Sequence, residues 1–101
     1  MAETERKLAC GALAGDPRAF RELYELAFRI AWAFALRSCR DASTAEALTA
    51  GTLRRACADL APLADGRQGL GALVLRCATA ALRELPPERA ADPVAGAIEA
   101  E

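Results

Sequence analysis

The sequence predicts an all-α domain, arranged as a small bundle of four helices. Alanine supplies much of the 53% apolar composition, and alanine has the highest helix propensity of the amino acids. Apolar residues recur at spacings of three and four in four segments, which glycine, proline and aspartate separate. No segment shows the sustained alternation of valine, isoleucine and threonine that is typical of strands. A length of 101 residues is that of one domain with a single core.

The longest helix is predicted over residues 16–39, and we expect it to form the centre of the bundle. Asp16 is a suitable N-cap, and Pro17 favours the first helical position. Two apolar stripes follow, although a surface helix needs only one. The first stripe comprises Phe20, Leu23, Ala27, Ile30 or Ala31, and Phe34; the second comprises Tyr24, Phe28, Trp32, Leu36 and Cys39. All five aromatic residues of the chain therefore lie on this helix.

A shorter helix is predicted on either side of the central one. The first spans residues 4–13, with Leu8, Ala12 and Leu13 facing inward and Gly15 as its C-cap. The third helix is expected to begin at Ser43, because Ser43-Thr44-Ala45-Glu46 fits a capping box, and to end near Leu60.

A loop is predicted at residues 61–69, since Pro62 and Asp65-Gly66 favour turns. The fourth helix is predicted over residues 70–84, where Pro86-Pro87 ends it. We expect a helical domain over residues 1–85. Residues 86–101 contain few large apolar side chains and more acidic than basic ones, so we expect a flexible acidic tail there.

The residue content argues against catalysis. The chain has no histidine, so the usual general base and most metal sites are missing. The four cysteines show no pairing typical of a zinc site, and we expect them to be buried small apolar residues. We therefore predict a protein without enzymatic activity, cofactor or metal. We expect it in the cytoplasm and not in a membrane, because no secretory pattern and no sufficiently long apolar segment is evident.

Two runs of sequence resemble a known family. The run AGDPRAFRELYE at residues 14–25 and the run AEALTAGTLRRAC at residues 45–57 are similar to region 2 of bacterial RNA polymerase sigma factors of the extracytoplasmic-function type. In that family the first run commonly reads A-G-D-x-x-A-F-x-x-L-Y, and the second A-E-D-L-x-Q-E-x-F-L-x-A-W. The stretch GLGALVLRCATAAL at residues 69–82 resembles the family's later helix. The resemblance covers about residues 5–84.

The resemblance implies a helical domain that binds the clamp helices of core RNA polymerase and captures the promoter −10 element. Carried over residue by residue, it assigns polymerase binding to Glu46, Leu48, Thr49 and Leu53. It assigns DNA binding to Arg67, Gln68, Arg76 and Arg83. Eight arginines against four acidic residues between positions 28 and 83 also favour a contact with nucleic acid. The chain departs from the family at Ala47, Ala50 and Gly51, where the family commonly has Asp, Gln and Glu.

These replacements leave a second function open. The chain is alternatively a diverged scaffold that has lost promoter function and binds a protein regulator or itself. Surplus apolar surface on the central helix favours this alternative, because self-association would bury it. The candidate residues for self-association are Phe28, Trp32 and Leu36.

Overall fold

The computed structural model describes residues 2–86, which form helices joined by short connections and contain no strand. The all-α class is therefore confirmed. The helices are α1 (Ala2–Leu13), α2 (Pro17–Ser38), α3 (Ala42–Ala58), α4 (Ala61–Ala64) and α5 (Leu70–Leu82). α2 packs against α1, α3 and α5, while α3 also packs against α5, and α1 against α4. The expectation that the longest helix is central is confirmed.

The junction between α1 and α2 forms as its residues predict. Gly15 has a φ of +93°, which few residues other than glycine adopt readily. The N–H of Gly15 donates to Ala12 O at 3.1 Å, and the N–H of Asp16 donates to Gly11 O at 2.9 Å. These two bonds are those of a Schellman motif. Asp16 then begins α2, because its Oδ1 accepts from the N–H of Arg18 at 3.0 Å.

The start of α3 differs from the prediction. Asp41 is the N-cap, and its Oδ1 accepts from the N–H of Thr44 at 2.7 Å while its Oδ2 accepts from the Thr44 hydroxyl at 3.0 Å. Ser43 lies inside the first turn of the helix, so the capping box predicted for Ser43 and Glu46 is wrong. Asp41 and Ser43 are both residue types that favour the N-cap position. With Asp41 as the cap the helix is two residues longer, and the Asp41 carboxylate accepts from both the N–H and the hydroxyl of Thr44.

The predicted loop at residues 61–69 contains a helix, so the domain has five helices within residues 2–86 rather than four. α4 is one turn long, and Leu63 on it is fully buried. α1 holds this turn through the carbonyl oxygen of Ala64, which accepts from Arg6 Nε at 3.2 Å and from Cys10 Sγ at 3.6 Å. Burial of Leu63 thus orders a segment whose proline and glycine predicted irregular structure.

Two contiguous clusters form the core. The larger lies where α1, α2, α3, α4 and α5 meet, and its largest fully buried side chains include Leu63, Leu70, Leu73 and Val74. The smaller lies between the C-terminal half of α2, the start of α3 and the end of α5, around Ala35, Leu48 and Ala81. Leu13, predicted to face inward, is 57% exposed because it is the last residue of α1.

The predicted stripes of α2 are only partly buried. The buried positions are every fourth residue, namely Ala19, Leu23, Ala27, Ala31 and Ala35. Leu23, Ala27 and Ala31 confirm part of the first stripe, and Cys39 is buried at the end of the second. Phe20 is exposed, Phe34 is half-buried, and the remaining side chains of the second stripe lie at or near the surface.

The domain boundary at residue 85 stays a prediction. α5 ends at Leu82, close to the predicted end at residue 84. The acidic tail predicted at residues 86–101 lies, after Pro86, outside the described residues.

Candidate functional site: an aromatic row beside α3

A row of large apolar side chains runs along the surface of α2. Phe20, Tyr24 and Phe28 are each 41% exposed, Trp32 is half-buried, and Leu36 is 52% exposed. We call these five residues the aromatic row. The rings of Phe20 and Tyr24 lie 6.1 Å apart between centroids. Those of Phe28 and Trp32 are stacked, 6.2 Å apart with 11° between their planes. Contacts at this separation stabilise the row itself.

The position of the row follows from the helical repeat. Each of its members directly follows a buried residue of α2, so the row is rotated by about 100° from the buried face along the whole helix. The buried face consists of four alanines and one leucine. Because alanine side chains are short, the neighbouring helices approach α2 closely on this side, and the rings next to it remain outside.

α3 forms the other wall of an open groove beside the row. The groove has a volume of about 440 Å³ and is lined by Tyr24, Phe28 and Trp32 of α2 and by Glu46, Thr49, Ala50 and Leu53 of α3. A second depression of about 320 Å³ continues it from Tyr24 and Ala50 to Arg54 and Cys57. The lining is therefore mainly aromatic and aliphatic, with one acidic and one basic side chain.

Thr49 lines this groove but adds no free hydroxyl to its floor, and the neighbouring buried Thr52 is paired in the same way. The hydroxyl of Thr49 donates to Ala45 O, and that of Thr52 donates to Leu48 O, each at 2.8 Å. Within the described part of the chain, no buried side-chain nitrogen or oxygen lacks a hydrogen-bond partner. The groove thus offers apolar surface rather than a set of polar groups that would bind a small polar substrate.

The four residues assigned to polymerase binding do not share one surface. Glu46 is exposed at the edge of the groove. Thr49 and Leu53 are buried at its floor, and Leu48 is buried in the smaller core cluster. The exposed side of α3 carries instead Ala47, Ala50 and Arg54, and the first two are positions at which the chain departs from the sigma pattern.

The residues assigned to DNA binding lie around α5 and the loop before it. Arg76 and Gln68 lie together, with Arg76 Nη2 donating to Gln68 Oε1 at 3.4 Å and to Asp59 Oδ2 at 2.6 Å. The hydrogen bond to Asp59 raises the pKa of Arg76 above its ordinary value. Arg67 forms an ion pair with Asp65 at 2.9 Å. Arg83 is exposed seven residues after Arg76, so both lie on one face of the chain about 10 Å apart along the helix axis.

Neighbouring carboxylates thus partly neutralise these arginines. A phosphate group would compete with Asp59 for Arg76 and with Asp65 for Arg67. Both ion pairs are exposed, and exposed pairs contribute about 0–1 kcal/mol, so an anionic ligand can displace them.

The residues assigned to self-association lie on the aromatic row. Phe28 and Leu36 are exposed, and Trp32 is half-buried against the smaller core cluster. Tyr24 and Ala50 also line the groove, although neither was predicted as a binding residue. An alanine directly precedes four of the five members of the row, and this repeat was the sequence signal that separates surface from core.

The cysteines are only partly buried, contrary to expectation. Cys39 and Cys77 are buried, Cys57 is half-buried, and Cys10 is exposed on the helix that packs against α4. Burial raises the pKa of the thiols of Cys39, Cys57 and Cys77, and the charge of Asp41 raises that of Cys39 further. Residues 2–86 contain no cluster of three or more side chains that would ligate a metal.

Comparisons with protein-family models, with curated proteins and with solved structures give no match to this chain. Among the described residues, no helix has the length and apolar character needed to span a membrane.

Proposed function

We propose that this chain is a non-catalytic protein-interaction domain, and that the groove between α2 and α3 is its binding surface. The exposed aromatic row is the observation that carries the proposal. Rings that expose two fifths of their surface in a continuous row are costly in water, and their exposure is typical of surfaces that bind another protein. The open, mainly apolar groove suits the side chains of a partner helix.

The resemblance to sigma region 2 supports a particular partner, the clamp helices of core RNA polymerase, in the cytoplasm. In that family the second run, here on α3, faces the polymerase, and α3 forms one wall of the groove. The exposed side of α3 carries alanine where the family has polar residues. Contacts from the aromatic row would therefore replace polar contacts that this chain lacks.

Binding to core RNA polymerase tests this proposal. The surface variant is Phe28→Glu, and the control is Arg37→Glu, an equally drastic change on an exposed residue of the same helix outside the groove. We expect the wild type and the control to bind the polymerase and the Phe28 variant to bind at least tenfold more weakly, while circular dichroism shows three equally folded proteins. Equal binding by all three proteins, or none by the wild type at low salt, would contradict the proposal.

A second candidate function is capture of the single-stranded promoter −10 element. The adjacency of Gln68 and Arg76, with Arg83 on the same face of the chain, favours it. Single-strand binding uses cationic side chains and aromatic stacking, and this surface supplies only the former. We expect weak binding of a −10 oligonucleotide that decreases steeply with salt and that Arg83→Glu weakens further. Binding that is insensitive to salt or to this substitution would refute the candidate.

A further inference from the structure

We propose that a second copy of this chain covers the aromatic row, with the two α2 helices packed antiparallel about a two-fold axis at the level of residue 27. The inference rests on the proposed function only for the choice of surface. It identifies the partner as a second copy of the chain and specifies how the two α2 helices align. Neither point depends on whether RNA polymerase binds.

A mainly charged ridge beside the row favours this register. Every fourth residue from position 21 is exposed, and the ridge comprises Arg21, Glu25, Arg29, Ala33 and Arg37. It lies on the side of the row that faces away from the buried residues of α2. In an antiparallel pair with its two-fold axis at residue 27, the numbers of two residues that face each other across the interface add up to about 54. Glu25 then faces Arg29 of the second copy, and symmetry provides the same pair twice.

The remaining charges of the ridge are compatible with this arrangement. Arg21 faces Ala33 of the second copy, so no two like charges meet. In a parallel pair, by contrast, the ridge of each copy would face α3 of the other copy, and the contact between Glu25 and Arg29 would be lost. The charge pattern is thus self-complementary in the antiparallel register.

The same register interdigitates the aromatic side chains. Phe28 lies between Tyr24 and Phe28 of the second copy, and Tyr24 lies between Phe28 and Trp32 of the second copy. Charge pairing and ring packing are independent requirements, and the register centred on residue 27 meets both.

The available area predicts a weak dimer. The exposures of the five side chains of the row correspond to an apolar area on the order of 400 Å² per copy. A standard interface buries about 800 Å² per partner, and the charged ridge and the exposed edge of α3 contribute to the rest. We therefore expect a dimer at the lower end of interface size, with a dissociation constant on the order of 10 µM.

Charge reversal tests the register. The variants are Glu25→Arg and Arg29→Glu, studied singly and mixed, with Arg37→Glu as the matched control because residue 37 faces no charged residue in this register. We expect sedimentation at low salt to show a dimer for the wild type and the control. Each single variant should dimerise at least tenfold more weakly, because symmetry introduces two like-charge contacts. An equimolar mixture of the two variants should form a heterodimer, since opposite charges then face each other at both positions.

Three results would overturn the inference: a wild type that remains monomeric at about 300 µM, well above the expected constant; charge variants that dimerise like the wild type; or a mixture that remains monomeric although both variants are folded by circular dichroism. Failure of the dimer with retained binding of core RNA polymerase, sensitive to Phe28→Glu, would remove this inference and leave the proposed function intact. A dimer without any binding of core RNA polymerase would support this inference and contradict the proposed polymerase binding.

Discussion

Two helical glycines make a matched test of the packing around α2. Gly51 lies inside α3 and Gly11 inside α1. A Cβ atom added at Gly51 would lie 3.7 Å from Arg54 Nη2 and 3.9 Å from Ala81 Cβ, both ordinary contact distances. A Cβ atom added at Gly11 would lie only 2.8 Å from the Cβ of Ala19, which has no side-chain torsion with which to move away. The same substitution should therefore have opposite effects at the two sites.

The expected magnitudes follow from these distances. Gly51→Ala should stabilise the protein by about 1 kcal/mol, because alanine has the higher helix propensity and meets no obstacle. For a domain of this size, this corresponds to an increase in Tm of about 4–8 °C. Gly11→Ala gains the same propensity but overpacks the contact between α1 and α2, which costs about 1–3 kcal/mol. We expect no net gain for Gly11→Ala and a loss of up to about 2 kcal/mol.

Urea and thermal unfolding, followed by circular dichroism at 222 nm, measure both changes under two-state conditions. The double variant should show the sum of the two single effects, because the substituted residues lie on different helices and their added Cβ atoms have no neighbour in common within 4 Å. If Gly11→Ala stabilises the protein as much as Gly51→Ala does, α1 does not approach α2 at Ala19, and the reasoning about close packing on alanine fails.

Three further predictions concern the core, a helix cap and the thiols. Leu73→Ala should destabilise the protein by about 2–5 kcal/mol because Leu73 is fully buried, whereas Phe28→Ala should cost much less; equal losses in urea unfolding would contradict the surface position of the row. Asp41→Ala should cost about 0.5–2 kcal/mol and Ser43→Ala only a few tenths, and the opposite order would restore the capping box. The urea midpoint should be constant between about pH 6 and 8, because the chain has no histidine. It should fall as the pH rises above about 8.5. The three thiols whose pKa is raised stay protonated in the folded state, while the same thiols ionise in the unfolded chain. A midpoint that rises in this range would show that the sign is wrong.

Signals confined to a few neighbouring residues were sufficient for much of the fold. The glycine in the left-handed conformation at position 15 and the aspartate and proline that follow it determine the turn between α1 and α2. The apolar spacing of α5 likewise predicts its buried residues, because Leu70, Leu73, Val74 and Cys77 all point into the core. In both cases local propensity and tertiary packing favour the same structure.

The errors arose where two local solutions compete or where burial decides. Asp41 and Ser43 are both good N-caps, and only the structure shows which one accepts the hydrogen bonds. α4 is a single turn, too short for a helical repeat to be visible in the sequence. Its existence depends on the burial of Leu63 and on hydrogen bonds from α1, more than fifty residues earlier in the chain. Such long-range contacts have no local sequence signal.

The burial of the side chains of α2 at the candidate site also could not be predicted from local sequence. Aromatic side chains at helical spacing usually predict core, and the two apolar stripes of α2 did not indicate which of their side chains the domain buries. The structure instead uses alanine on the buried face of α2, while leucines and a valine of α4 and α5 supply the largest fully buried aliphatic side chains. Since interhelical distance depends on the side chains at the contact, a face of alanines brings neighbouring helices close and leaves no room for rings.

The aromatic row is therefore not surplus core of this domain. Rotating α2 to bury the row would expose its alanine face and remove the side chains that pack in the cluster of Leu73 and Val74, which would lose stability. The rings can be covered only from outside, by a molecule whose surface follows a ridge with a spacing of four residues. Of the two proposed partners, core RNA polymerase and a second copy of this chain, the second copy carries Glu25 and Arg29 in the order that pairs with itself. The charge-reversal mixture therefore separates the two partners more directly than removal of the rings, which would weaken the binding of either.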